Sequence, residues 1–164
     1  MQTLALIALG SNLGNSSDIL REAMGRLQQF SDAPLLRSSF WRSSPVDCPP
    51  GSPDFINAAV ALVPRSGETP ESLLEKLQTL EREFGRRPKV VLNEPRPLDL
   101  DLIAFDAEIR KSAALTLPHP RAHQRRFVLQ PLSEIVPGYV LPGQRWTIQE
   151  LLGMNEEEKL QRLE

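Results

Sequence analysis

Thr3–Leu9 is a continuous apolar run closed by Gly10, the pattern of a buried strand. Asn15 or Ser16 can cap the helix that follows, in which Ile19, Leu20, Ala23, Met24, Leu27 and Phe30 recur at helical spacing. Ser38–Arg42 and Phe55–Val63 read as strands, the second rich in Ala and Val. Thr69 followed by Pro70 marks a helix start, with Leu73, Leu77, Leu80 and Phe84 as its apolar stripe and Gly85 as its stop. Leu98–Phe105 alternates as a strand, and Leu115–Leu117 is a further short one. Gln124–Leu132 is helical or turn-like and should end at Pro131. Thr147–Leu152 is a short helix, and the charged tail Asn155–Glu164 is expected to be helical.

The order strand, helix, strand, strand, helix, strand predicts a split β-α-β arrangement. That is an α+β fold, a ferredoxin-like α/β sandwich with helices covering one face of a mainly antiparallel sheet. Two long segments interrupt it. Ser43–Asp54 holds four prolines and Arg86–Pro97 holds three, so neither can be a regular element. Ordered loops of that length often carry function.

The length, 164 residues, predicts a single domain over 1–164 with no space for a second catalytic domain. Cys48 is the only cysteine, which excludes a disulfide framework and a cysteine-based zinc site. His119 and His123 cannot by themselves build a histidine-rich metal cluster. No apolar run reaches the 18 or so residues of a membrane span, and no secretory leader is readable, so the expected location is cytoplasmic, with no membrane partner. A net charge of −2 argues against a broad nucleic-acid footprint. The charge is uneven, however: Arg82–Arg126 carries 10 basic and 6 acidic residues, while the remainder is acidic. Either an anionic ligand sits at one place or the surface is unevenly drawn.

The sharpest local signal is Pro95-Arg96-Pro97-Leu98-Asp99-Leu100-Asp101-Leu102. In a strand, the leucines point one way and Asp99 and Asp101 the other, about 7 Å apart along the chain. Aspartate is a poor strand former, so two on one face need a reason. One is a hard cation such as Mg²⁺, which takes carboxylates together with waters and phosphate oxygens. The other is a solvent-facing edge strand whose charges keep it from pairing with another chain. Arg96 beside the pair, with Arg86, Arg87 and Lys89 upstream, favours the first, because the arginine fork suits phosphate oxygens. Gly10-Ser11-Asn12-Leu13-Gly14 follows a strand and precedes a helix, but it lacks the lysine ending of a phosphate loop and reads as a turn with Asn12 bonded locally. Gln78 and Glu81 lie toward one edge of the leucine stripe, as boundary residues or ligand contacts. Pro118-His119-Pro120 presents a histidine rigidly, with Arg125, Arg126 and Phe127 downstream. No Ser-His-Asp set is readable and Cys48 has no evident base, so nucleophilic catalysis has little support.

Four motifs in this order carry a resemblance: Leu9-Gly10-Ser11-Asn12-Leu13-Gly14, Phe55-Ile56-Asn57-Ala58-Ala59-Val60, Pro95-Arg96-Pro97-Leu98-Asp99-Leu100-Asp101, and Pro118-His119 followed by Arg125, Phe127 and Pro131-Leu132. Together they resemble the 6-hydroxymethyl-7,8-dihydropterin pyrophosphokinases of folate synthesis. The resemblance implies transfer of pyrophosphate from ATP to the pterin hydroxymethyl group, with ATP as co-substrate and two Mg²⁺ ions held by Asp99 and Asp101. It implies ATP contacts at Gln78, Glu81, Arg96, Thr116, His119 and Arg125, and catalytic assistance from Arg86 and Arg96. The pterin pocket would use Ser43, Ser44, Pro45, Val46, Phe55, Asn57 and Phe127. Phe55 and Phe127 can sandwich a flat ring, and the Asn57 amide offers a donor and an acceptor. The two proline-rich loops would close over the substrates. A monomer acting on two small molecules is expected. The sequence departs from many members at Asn93-Glu94, where they carry Trp-Gly, and at Pro88 and Pro120.

A ferredoxin-like binding module is the rival from another class. An RNA module would display aromatics on its sheet, yet only nine aromatics are present and no Arg/Lys-Gly-Phe strand motif occurs. A regulatory ligand module has no need of adjacent aspartates.

Overall fold

A computed structural model describes residues 3–44, 48–86, 95–155 and 160–163 of the chain. The elements begin with β1 (Ala5–Ser11), α1 (Ser16–Leu27), β2 (Leu36–Arg37), β3 (Trp41–Ser43), β4 (Phe55–Leu62) and α2 (Pro70–Glu83). They continue with β5 (Asp99–Phe105), β6 (Arg110–Lys111), β7 (Thr116–Leu117), α3 (Arg126–Ile135), α4 (Ile148–Met154) and β8 (Gln161–Arg162). The main sheet runs β5-β1-β4-β3-β8 with β2 also on β4, and every pairing in it is antiparallel. β1 and β3 flank β4 and run the same way, which is the split β-α-β arrangement expected from the order of elements.

The helices cover both faces of the sheet rather than one. Ala5, Ile7 and Leu9 of β1 share a core with Leu20, Met24 and Leu27 of α1 and Leu73, Leu77 and Leu80 of α2. Leu6 and Ala8 face the other way, onto Val128, Leu129 and Leu132 of α3 and Ile148 and Leu151 of α4. β1 is buried on both faces: all seven of its residues are buried, and every one but Ser11 is apolar or glycine. The second helical layer was hard to see because α3 contains Pro131. α3 does not end there but runs to Ile135. An interior proline costs about 3 kcal/mol. Burial of Val128, Leu129 and Leu132, at roughly 1.5–3 kcal/mol each, more than offsets it.

Two further expectations change. The strand expected over 38–42 is split into β2 and β3, because Ser38 Oγ replaces a backbone carbonyl and accepts from Ala59 N–H at 2.8 Å. The tail is not helical in its described part. Gln161–Arg162 pairs with β3, and Leu163 N–H reaches Phe40 O at 2.8 Å, so the tail covers what would be an open sheet edge. The α2 start follows the sequence closely: Thr69 caps it reciprocally with Ser72, and Pro70 occupies its first position.

Candidate active site

Asp99 and Asp101 stand on the α3 face of β5. Their register partners on β1 are Gly10 and Ala8, whose next partners on β4 are Asn57 and Ala59. Glycine and alanine at these positions keep the sheet surface low, and a cleft of about 600 Å³ opens above it. Leu98, Leu100 and Leu102 point the other way into the α1/α2 core. A Cβ built on Gly10 would lie 3.5 Å from the Phe55 ring and 3.8 Å from Asn57 Oδ1, so the missing side chain is part of the cleft's floor.

The end of α2 delivers the first arginine. Gly85, at φ +93°, takes the left-handed conformation that stops a helix. Its N–H bonds Arg82 O, and Arg86 N–H bonds Glu81 O, the paired bonds of a Schellman stop. That turn sets the Arg86 side chain beside Glu81. Its Nη1 lies 2.7 Å from Glu81 Oε2 and 2.7 Å from Asp99 Oδ1. Glu81 Oε2 also accepts from Leu100 N–H at 2.7 Å, so this carboxylate ties α2 to the edge strand β5. Arg96 Nε lies 3.5 Å from Asp99 Oδ2, and its guanidinium sits 5.1 Å from the Phe55 ring centre.

Asp101 is the most perturbed group. Burial, reinforced by the charges of Asp99 and Glu81, pushes its carboxyl up to about 7, and Arg125 and Arg86 only partly oppose this. Burial also raises Glu81 despite its two donors. For Arg86, burial works against the charge, yet Asp99 and Glu81 outweigh it and the net shift is upward. His119 is lowered by burial and by Arg125, and its Nδ1 accepts from Arg121 N–H at 3.3 Å, as a neutral imidazole can.

The carboxylate pair fits a divalent cation. Among the described residues no group of three or more His, Cys, Asp or Glu forms a complete cage. The protein therefore offers two carboxylates, one of them buried and short of compensating positive charge. Mg²⁺ suits such a site, since it keeps waters and takes substrate phosphates for its remaining positions.

Phe55 and Phe127 also line the cleft, and Arg125 lies 5.5 Å from the Phe127 ring centre. Buried Asn57 donates from Nδ2 to Ser43 Oγ at 2.7 Å and to Trp41 O at 3.2 Å. The amide nitrogen is thus committed, and the acceptor Oδ1 is what remains toward the cleft. Ser43 and Ser44 line the same wall. Pro45, Val46, Arg87, Pro88, Lys89, Asn93 and Glu94 lie outside the described residues.

Of the sequence-derived set, the cleft lining brings together Ser43, Ser44, Phe55, Asn57, Arg96, Asp99, Asp101, Arg125 and Phe127. Arg86 bonds Asp99 directly, and Glu81 stands behind it, bonded to Arg86 and to Leu100 N–H. Gln78 and Thr116 are exposed and His119 half-buried, and none of the three is among the lining residues. Five lining residues were not foreseen: Ala8, Leu9, Gly10, Cys48 and Arg121. Arg121 lay within the basic segment, but nothing in its spacing marked it. The reading of Asn12 as a locally bonded turn residue is corrected, since its side chain reaches Arg96 and Pro53 instead.

A cleft that sets two carboxylates among guanidinium groups, next to two aromatic rings, has the charge and the surface to take a polyphosphate beside a flat ring. The profile of the 7,8-dihydro-6-hydroxymethylpterin-pyrophosphokinase (HPPK) family matches residues 6–137. The chain belongs to this family of ATP-dependent pyrophosphokinases. It is 39% identical over 150 residues to the 2-amino-4-hydroxy-6-hydroxymethyldihydropteridine pyrophosphokinase of Synechocystis, covering 90% of this chain and 74% of that one. It is 39% identical over 140 residues to the Haemophilus influenzae enzyme of the same name, covering 85% of each. Among solved structures, an HPPK-DHPS in complex with substrates superposes with a TM-score of 0.72 at 11% identity, over 93% of this chain and 43% of that one. Wild-type Plasmodium falciparum HPPK-DHPS gives 0.69 at 12% identity, over 94% and 45%. The chain spans less than half of these two solved chains, and at such identity they share its fold. No helix among the described residues is long and apolar enough to cross a membrane.

Proposed function

We propose that this protein transfers the terminal pyrophosphoryl group of ATP to the hydroxymethyl oxygen of 6-hydroxymethyl-7,8-dihydropterin, with two Mg²⁺ ions held at Asp99 and Asp101. The observation that carries this reading is the pairing of Asp99 and Asp101 in a cleft that also holds the guanidinium groups of Arg96 and Arg125 and the rings of Phe55 and Phe127.

The pterin ring enters between Phe55 and Phe127, where flat aromatic surface is available on both sides. Asn57 Oδ1 accepts a hydrogen bond from a pterin N–H, its nitrogen being already spent on Ser43 and Trp41. Arg96 and Arg125 hold the phosphate oxygens, with Arg86 released from Asp99 to join them. The hydroxymethyl oxygen attacks the β-phosphorus in line. The bond from that phosphorus to the α,β-bridging oxygen breaks, AMP leaves with that oxygen, and the hydroxyl proton passes to solvent. Mg²⁺ bound at the carboxylates would neutralise phosphate oxygens and hold the chain of phosphates in one conformation. The residues act by position and charge rather than through a strong base. A single cysteine accords with the cytoplasm.

The test is product identity. Incubation with ATP, Mg²⁺ and the hydroxymethyl pterin should give AMP and the pterin diphosphate in equal amounts. ADP as the nucleotide product would overturn the reading.

A further inference from the structure

Asn12 lies just past the end of β1 and is 2% exposed. Its backbone N–H donates to Arg96 O at 3.1 Å, and its side-chain Oδ1 accepts from Arg96 N–H at 2.9 Å. The side chain thus supplies the carbonyl that the strand ladder would have offered one step further on, extending the β1–β5 pairing to a residue outside β5. The same amide donates from Nδ2 to Pro53 O at 3.3 Å. Arg96 is three residues before Asp99, and Pro53 is two before Phe55. The two segments held by this one amide are those whose side chains meet: the Arg96 guanidinium lies 5.1 Å from the Phe55 ring centre and its Nε 3.5 Å from Asp99 Oδ2.

We propose that Asn12 is a positioning residue for the transfer reaction, fixing the Arg96 guanidinium between Phe55 and Asp99 and keeping the ring side and the phosphate side of the cleft in register. This rests on the reaction proposed above. Arg96 sits at the end of a proline-rich segment, and Asn12 holds its backbone through two hydrogen bonds to the peptide groups on either side of one Cα. A displacement of Arg96 by about 1 Å can cost on the order of 100-fold in rate. No other side-chain type offers an acceptor and a donor at this length without charge.

The test is a double-mutant cycle on the purified full chain, read as AMP release. Asn12→Ala should lower kcat by about 100-fold, and the same change in an Arg96→Ala background should cost less than about threefold, because what Asn12 positions is then gone. A purely structural role would give the same factor in both backgrounds and would overturn the proposal. Asn12→Asp keeps the acceptor for Arg96 N–H, puts a second acceptor against Pro53 O in place of the donor, and adds a charge. It should therefore hold kcat within about tenfold of wild type while KM for the pterin rises. This variant carries the test if Asn12→Ala fails to fold, and a kcat loss as deep as that of Arg96→Ala would contradict the proposal. Wild type run in parallel separates the two readings. Absence of AMP from wild type defeats the proposed reaction, whereas active wild type with an additive cycle defeats only the role of Asn12.

Discussion

The Nη1 atom of Arg86 lies 2.7 Å from Asp99 Oδ1, so an arginine occupies the carboxylate that the proposed reaction assigns to a cation. Arg86 is held there from two sides, by Asp99 and by Glu81, at the end of a helix whose stop geometry sets its direction. An arginine and a divalent ion compete for the same oxygen. Removing Arg86 should therefore tighten metal binding while slowing transfer. We expect Arg86→Ala at pH 8 to bind Mn²⁺, followed by its electron paramagnetic resonance signal, about threefold or more tightly than wild type, with turnover lower by on the order of 100-fold. Weaker Mn²⁺ binding in the variant would show that Arg86 supports the ion site rather than competing for it.

Asp101 gives the site a pH dependence of definite sign. Its folded-state value, about 7, stands above its ordinary 3.8, so the folded protein holds this proton more firmly than the unfolded chain does. The stability this group contributes is present at low pH and is lost as pH rises from about 4 to about 7. Without metal, Asp101→Asn should then melt a few degrees higher than wild type at pH 8 and show little difference at pH 4. Turnover should be lost in the same variant. Melting curves in a chelator at the two pH values check this, and equal melting temperatures at pH 8 would contradict it.

Gly10 separates fold from binding. A methyl group there meets Phe55 and Asn57 only at ordinary contact distances of 3.5 and 3.8 Å, so the sheet should accept it. It would nevertheless stand on the cleft floor between the two residues assigned to the pterin. We expect Gly10→Ala to melt within about 3 °C of wild type and to bind the pterin about tenfold more weakly, a change of about 1.4 kcal/mol. Calorimetric titration measures it, and unchanged affinity would remove Gly10 and its neighbours from the pterin wall.

The sequence was most legible where local rules and packing agree. The alternation of Leu98, Leu100 and Leu102 with Asp99 and Asp101 appears in the structure as one core face and one cleft face. Thr69-Pro70 and Gly85 mark the ends of α2, because capping and left-handed stops depend on a few neighbouring residues. What remained hidden depends on distant parts of the chain. The second helical layer requires knowing that buried leucines can outweigh Pro131. β8 exists because β3 would otherwise present an open edge. Asn12 looked like a turn residue, since its bonds to Pro53 and Arg96 span 41 and 84 residues, and no local pattern records them. Gln78 and Thr116, carried over by resemblance, are exposed and are not among the cleft's lining residues.

The most direct measurement of the central claim is AMP release by Asp99→Ala, taken together with its affinity for the pterin. Asp99 belongs to the proposed phosphate and cation half of the cleft, and Phe55, Asn57 and Phe127 to the proposed ring half. Turnover should therefore fall to background while the pterin still binds within about tenfold of wild type. AMP release at the wild-type rate would contradict the assignment of the carboxylate pair to the transfer chemistry.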